Sequence, residues 1–183
     1  MADHRADVGA QMGAAVAMRG GLDLGAPQMT SVYRFECVGA DGAVKWTEEV
    51  HNLVTNEGLN DLLSKYFKGS SYTAAFYVGL KGTGSAAAGD TLASHAGWTE
   101  VSSYTGNRQA LTLGSVSGQS VNNSGAVNSF AITGTATVAG GFVCTVATGT
   151  SGILYGVADF ASSRSVINGD TLSVTVTLTS ASA

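Results

Sequence analysis

From Thr171 to Thr179 the chain alternates without a break. Leu172, Val174, Val176 and Leu178 fall on one side, and Ser173, Thr175, Thr177 and Thr179 on the other. A period of two belongs to a strand with one dry and one wet face, because successive side chains on a strand point in opposite directions. Comparable segments fill the chain from Tyr72 onward: Ala74–Leu80, Trp98–Tyr104, Gln109–Leu113, Val127–Thr133, Ala136–Val146 and Ile153–Phe160. Gly-rich turns separate them at the spacing of a sandwich, jelly roll or barrel. The predicted fold is therefore all-β, a single β-sandwich, jelly-roll-like domain over residues 30–183.

This domain opens with a hairpin. Tyr33, Phe35 and Cys37 alternate with Arg34 and Glu36, and Val44 and Trp46 with Lys45 and Thr47. Between the two runs, Gly39-Ala40-Asp41-Gly42 carries the Asp-Gly pair of a tight turn. One short α-helix follows at about Thr55–Phe67, where apolar residues recur at helical spacing. Thr55 or Asn56 can cap it, Glu57 and Asp61 suit its positive end, and Lys65 and Lys68 its negative end. Gly69 supplies a stop. Leu59, Leu62, Leu63, Tyr66 and Phe67 form one apolar stripe, expected to pack across one end of the sandwich.

Residues 1–29 lack either periodicity and end near Pro27, the chain's single proline. They read as an extended N-terminal arm, with Val8, Met12, Val16, Met18, Leu22 and Leu24 as its candidate contact residues. Asp3 and Asp7 stand where a secretory signal needs positive charge, so the chain reads as soluble and made in the cytoplasm. No apolar run approaches the ~20 residues of a membrane span. With a net charge of −4 and scattered Lys and Arg, the chain has no basic stripe for nucleic acid. Only 12% of residues are charged, well below the usual ~25%. From Gln109 to the C-terminus the charges reduce to Asp159, Arg164 and Asp170. Strands so poor in charge would aggregate at open edges, which points to coverage by other subunits.

Constellations for chemistry are missing. His4, His51 and His95 are far apart, no G-x-S-x-G elbow occurs, and the serines of Gly114–Gly118 fall in the wrong register. Gly79-Leu80-Lys81-Gly82-Thr83-Gly84 lacks the order of a phosphate loop and reads as a surface loop. Glu48 and Glu49 are adjacent, so on a strand they diverge. Asn122-Asn123-Ser124 matches a glycosylation pattern but has no secretory context. Cys37 and Cys144 read as buried, inert core residues, a disulfide requiring their strands to pack face to face. Gly89-Asp90-Thr91-Leu92 is echoed at Gly169-Asp170-Thr171-Leu172, which reads as a shared turn in which Asp bonds backbone N–H groups. No enzymatic activity, metal or cofactor is expected. Trp46 and Trp98 could stack sugars, but such aromatics more commonly anchor cores or interfaces, and Trp98 joins the candidate interaction residues.

The segments Asn52–Asn60, Tyr72–Gly82, Gly89–Glu100, Ser129–Thr137, Gly152–Tyr155 and Gly169–Thr175 together resemble a group of tailed-bacteriophage structural proteins, often encoded among the head genes and sometimes labelled tail-fibre proteins. The resemblance runs from about Val50 to Thr179 and leaves out the arm. It implies a virion structural protein with no catalytic residues. A capsid decoration (cement) protein on the capsid surface fits best, its partners the major capsid protein and copies of itself, with a trimer favoured by analogy. The mild acidity suits a surface turned away from packaged DNA. A tail, neck or fibre-base protein is the alternative, and a carbohydrate-binding host-attachment sandwich a third, with an exposed Trp98 or Trp46 as its mark.

Overall fold

A computed structural model describes residues 28–72 and 75–181. The described elements run β1 (Gln28–Val38), β2 (Val44–Val54), α1 (Asn56–Phe67), β3 (Tyr77–Gly84), β4 (Trp98–Val101), β5 (Gln109–Ala110), β6 (Ser120–Asn122), β7 (Asn128–Ala131), β8 (Ala136–Cys144), β9 (Leu154–Val166) and β10 (Thr171–Ala181). The domain is all-β with one short helix, as the alternation predicts. The arm lies outside the described residues except for Gln28 and Met29, which belong to β1 because its pairing with β10 extends back to Gln28↔Ala181.

The strands pair antiparallel in the order β4-β3-β8-β9-β2-β1-β10-β6, with β5 on β3 and β7 on β10. β2 joins the two halves of this sheet. Its Val44–His51 stretch pairs with β1, while Asn52–Val54 pair with β9. The halves therefore diverge where β2 leaves β1, and they close on each other as a sandwich. Phe35 of β1 meets Phe160 of β9 edge-on, with ring centroids 4.7 Å apart. It also lies against Gly141 of β8, where a Cβ would sit 2.8 Å from Phe35 Cζ, so only glycine admits the ring.

Local chemistry explains the hairpin. Gly42 takes a φ of +81°, which glycine adopts without cost, and the Asp41 carboxylate accepts the Ala43 N–H at 3.0 Å. Tyr33, Phe35 and Cys37 are fully buried on the inner face, opposite Val176, Val174 and Leu172 of β10, which are fully buried too. Both cysteines are buried and free. Burial, and then the Asp170 carboxylate, push the Cys37 thiol up to about 11, and burial also raises that of Cys144. Neither supplies a thiolate near neutral pH.

A second cluster covers the outer face of β8 and β9, where Leu92 and Trp98 pack on Phe142, Cys144, Leu154 and Val157. Trp98 is therefore 4% exposed, donates its indole N–H to Asp90 at 2.9 Å and stacks under His95 at 4.0 Å. As an interaction residue it is corrected: its surface is spent inside the domain. The Gly79–Gly84 segment is also corrected, from surface loop to β3. Its Lys81 is fully buried, 2.9 Å from Asp159 and over the Trp98 ring.

The three longest charge-poor strands are not edges. β8, β9 and β10 lie inside the sheet, and the ends are the short β4 and β6. In the described domain the charge-poor open edge is therefore confined to short strands such as β6. The three late charges are each paired: Asp159 with Lys81, Arg164 with Glu48 at 2.7 Å, and Asp170 with Lys45 at 2.6 Å. Asn123, 1% exposed, accepts the Val176 N–H at 2.7 Å and donates to Val174 O at 3.2 Å. Its amide thus completes β10 in the gap between β6 and β7, a role that no local pattern announces.

The repeated Gly-Asp-Thr-Leu is one turn used twice. Asp90 accepts the Ala87 N–H and Asp170 the Ile167 N–H, each at 2.9 Å. Burial of Asp170 opposes its charge, but the Lys45 ammonium, the Ile167 N–H and the Cys37 thiol prevail and hold its carboxyl below the usual carboxylate range. A depressed carboxyl stabilises the fold above its unfolded pKa of ~4, and the contribution is lost as pH falls through the lower folded value. Asp170→Asn should cost about 1–2 kcal/mol at pH 7 in urea unfolding. The difference from wild type should shrink at pH values below the usual carboxylate range, and an equal loss at both pH values would contradict the pairing.

Candidate functional site

Helix α1 is tied down at its N-terminus by polar contacts. Thr55 is the N-cap: its hydroxyl oxygen accepts the Gly58 N–H at 3.1 Å and donates to the Leu154 carbonyl. Glu57 accepts the N–H of Leu154 at 2.7 Å and that of Leu92 at 3.3 Å, joining the helix start to β9 and to the covering loop. Gly58 is the one buried residue of the helix. It rests on the backbone of Tyr155, where a Cβ would lie 2.9 Å from Tyr155 Cα and nearer still to its carbonyl oxygen.

The expected packing of the apolar stripe is overturned. Leu59 is 40% exposed, Leu63 53%, Tyr66 79% and Phe67 74%, and only Leu62 is half-buried. The period-3.6 stripe is present but the anchoring glycine presents a different face to the sheet. The helix is anchored to the domain through Gly58 and its capping groups and holds Leu59, Leu63, Tyr66 and Phe67 largely outward. Tyr72, just beyond it, is 58% exposed.

Between α1 and the end of the sandwich lies a groove of about 340 Å³. Leu62 and Tyr66 form its helical wall, Phe76 and Tyr155 its floor, and Val143 and Leu178 the end of the main core. Asp61 and Lys65 sit at its rim, 4.0 Å apart. The Tyr155 phenol, whose pKa is raised by burial, donates to Met29 Sδ at 3.6 Å. The site can hold apolar side chains, and no nucleophile–base pair is found among the described residues that line it. Among the described residues, no cluster of three or more His, Cys, Asp or Glu side chains is placed to hold a metal ion.

The sequence-predicted contact residues Val8, Met12, Val16, Met18, Leu22 and Leu24 lie outside the described residues, and Trp98 lies away from the groove in the second cluster. Sequence reasoning found Leu62 and Tyr66 but assigned them to the core. It missed Tyr155 and Leu178 as groove residues, because strand alternation marks a residue as inward without telling where the inner face opens. The chain matches no protein-family model. No curated protein matches it either.

Two substitutions test this arrangement. Gly58→Ala favours an isolated helix by about 1 kcal/mol, yet the overlap with Tyr155 should reverse the sign and cost about 1–3 kcal/mol by thermal or urea unfolding. Leu63→Ala should change stability by about 0.5 kcal/mol or less, whereas a buried leucine would cost about 2–5.

Proposed function

We propose that the chain is a structural component of a bacteriophage virion, a capsid decoration (cement) protein that binds the outer shell and braces neighbouring capsid subunits. The observation that carries an assembly role is the outward apolar face of α1, with Leu59, Leu63, Tyr66 and Phe67 on a domain otherwise poor in charge. Large exposed apolar residues that are contiguous along one helix face mark a surface meant to be covered. The pairing of Asp159, Arg164 and Asp170 within the fold adds to this, leaving the late strands neutral toward a neighbour. The virion half of the reading rests on the segments between Val50 and Thr179 that resemble phage structural proteins.

On this reading the chain has no catalytic role, and its partners are the major capsid protein and copies of itself, as a trimer by analogy with jelly-roll decoration proteins. A tail, neck or fibre-base position is the second reading, and the same helix face serves it. The sugar-binding alternative loses Trp98 as a platform, since that ring is buried.

Labelling the protein on intact particles and locating it by electron microscopy separates these. Density repeating with the capsid lattice is expected. Density at a single vertex would move the protein to the neck or tail, and its absence from purified particles would overturn the reading.

A further inference from the structure

The groove beside α1 opens where the N-terminal segment joins the sheet. Gln28 pairs with Ala181, and Leu178, a groove residue, pairs with Ser31 three positions along. At ~3.3 Å per residue the chain therefore enters β1 within about 10 Å of the groove. Met29 marks the approach, since its sulfur receives the hydroxyl of Tyr155, the groove's floor. On the β2 side, the Gln28–Ser31 stretch of β1 has no strand partner among the described residues, because β2 pairs with β1 only from Val32↔His51 onward.

We propose that the groove is filled by the chain's own N-terminal segment, with Leu22 and Leu24 as the inserted side chains. Leu24 stands four residues before Gln28, which spans up to ~13–14 Å of extended chain and covers the distance. Leu22 and Leu24 are two apart, so an extended segment presents both on one face. The groove offers Leu62, Phe76, Tyr155 and Leu178 to receive them. Attachment to β1 makes insertion intramolecular, with an effective concentration in the ~mM range for so short a connection, which favours this occupant over a separate chain. The rest of the segment, from Val8 to Met18, then stays available for other contacts. The docking does not depend on any role in a virion.

Limited trypsin digestion of the full chain tests it. Arg19 lies just before the proposed anchor and Arg5 well outside it. Trypsin needs an accessible stretch on both sides of its cut, so insertion of Leu22 and Leu24 should slow cleavage after Arg19 at least tenfold relative to Arg5. The double substitution Leu22→Asp with Leu24→Asp, and separately Leu62→Asp in the groove wall, should each raise the Arg19 rate about tenfold and leave Arg5 unchanged. Near-UV circular dichroism confirms the fold of each variant, and Tyr66→Asp, at the more exposed residue of the helical wall, replaces Leu62→Asp if that variant does not fold. Equal cleavage at Arg5 and Arg19 in the unmodified chain would overturn the proposal. So would protection at Arg19 that disappears on dilution as sedimentation shows dimers dissociating, since a neighbour's segment or a second copy would then be the occupant.

Discussion

Phe35 against Gly141 is the contact on which the rest of the domain depends. Sheets that pack face to face normally stand about 10 Å apart, with side chains from both filling the gap. Here a single aromatic ring from β1 reaches the backbone of β8, and Phe160 closes on it from β9. The ring spans the interior because the opposite position has no side chain. Tyr33 and Cys37 on the same strand, and Leu172, Val174 and Val176 across from them, then line up on one buried face. Such close-packed interiors tolerate little change in volume, which makes Gly141 as necessary to the core as the phenylalanine it accommodates.

The few charges serve this same closure. Lys81 is fully buried, and a buried ammonium is costly unless it is paired and hydrogen-bonded. Asp159 supplies the charge, the Gly82 and Gly84 carbonyls accept the remaining hydrogens, and the Trp98 ring lies beneath. Arg108 is treated alike: Glu100 holds its guanidinium through two hydrogen bonds, at 2.9 and 2.7 Å, while the Val146 and Gly149 carbonyls take the other nitrogen. The Lys81–Asp159 pair and the Arg108 bonds to Val146 and Gly149 join segments remote in sequence, so their geometry helps set which strand meets which loop. The charge they consume is charge the surface lacks.

Helix α1 is held by its first turn and leaves its apolar stripe outside. Capping, Glu57 and the glycine contact are directional and short-ranged, so they fix one end and the rotation of the helix. The stripe at Leu59, Leu63, Tyr66 and Phe67 follows from that rotation. An amphipathic helix ordinarily turns its apolar face to the core, because burial there is its main source of stability. One that does the reverse, beside an apolar groove at the mouth of the sandwich, has surface to give to another segment or another protein.

The sequence by itself determined the class of the fold, the hairpin, the helix with its cap, the inward residues of β1 and β10, and the turn shared by Asp90 and Asp170. All of these follow from periodicities and turn chemistry acting within a few residues, and nothing distant in the chain opposes them. Only the tertiary structure decided which elements are covered and where the interior opens. Trp98 is buried because the loop that leads into it folds over β8 and β9. Lys81 lies in a strand because Asp159, far along the chain, neutralises it. The apolar stripe of α1 faces outward because Gly58, the smallest residue on the helix, is the one that fits against Tyr155. A pattern states which side chains share a face, and long-range packing alone settles what that face meets.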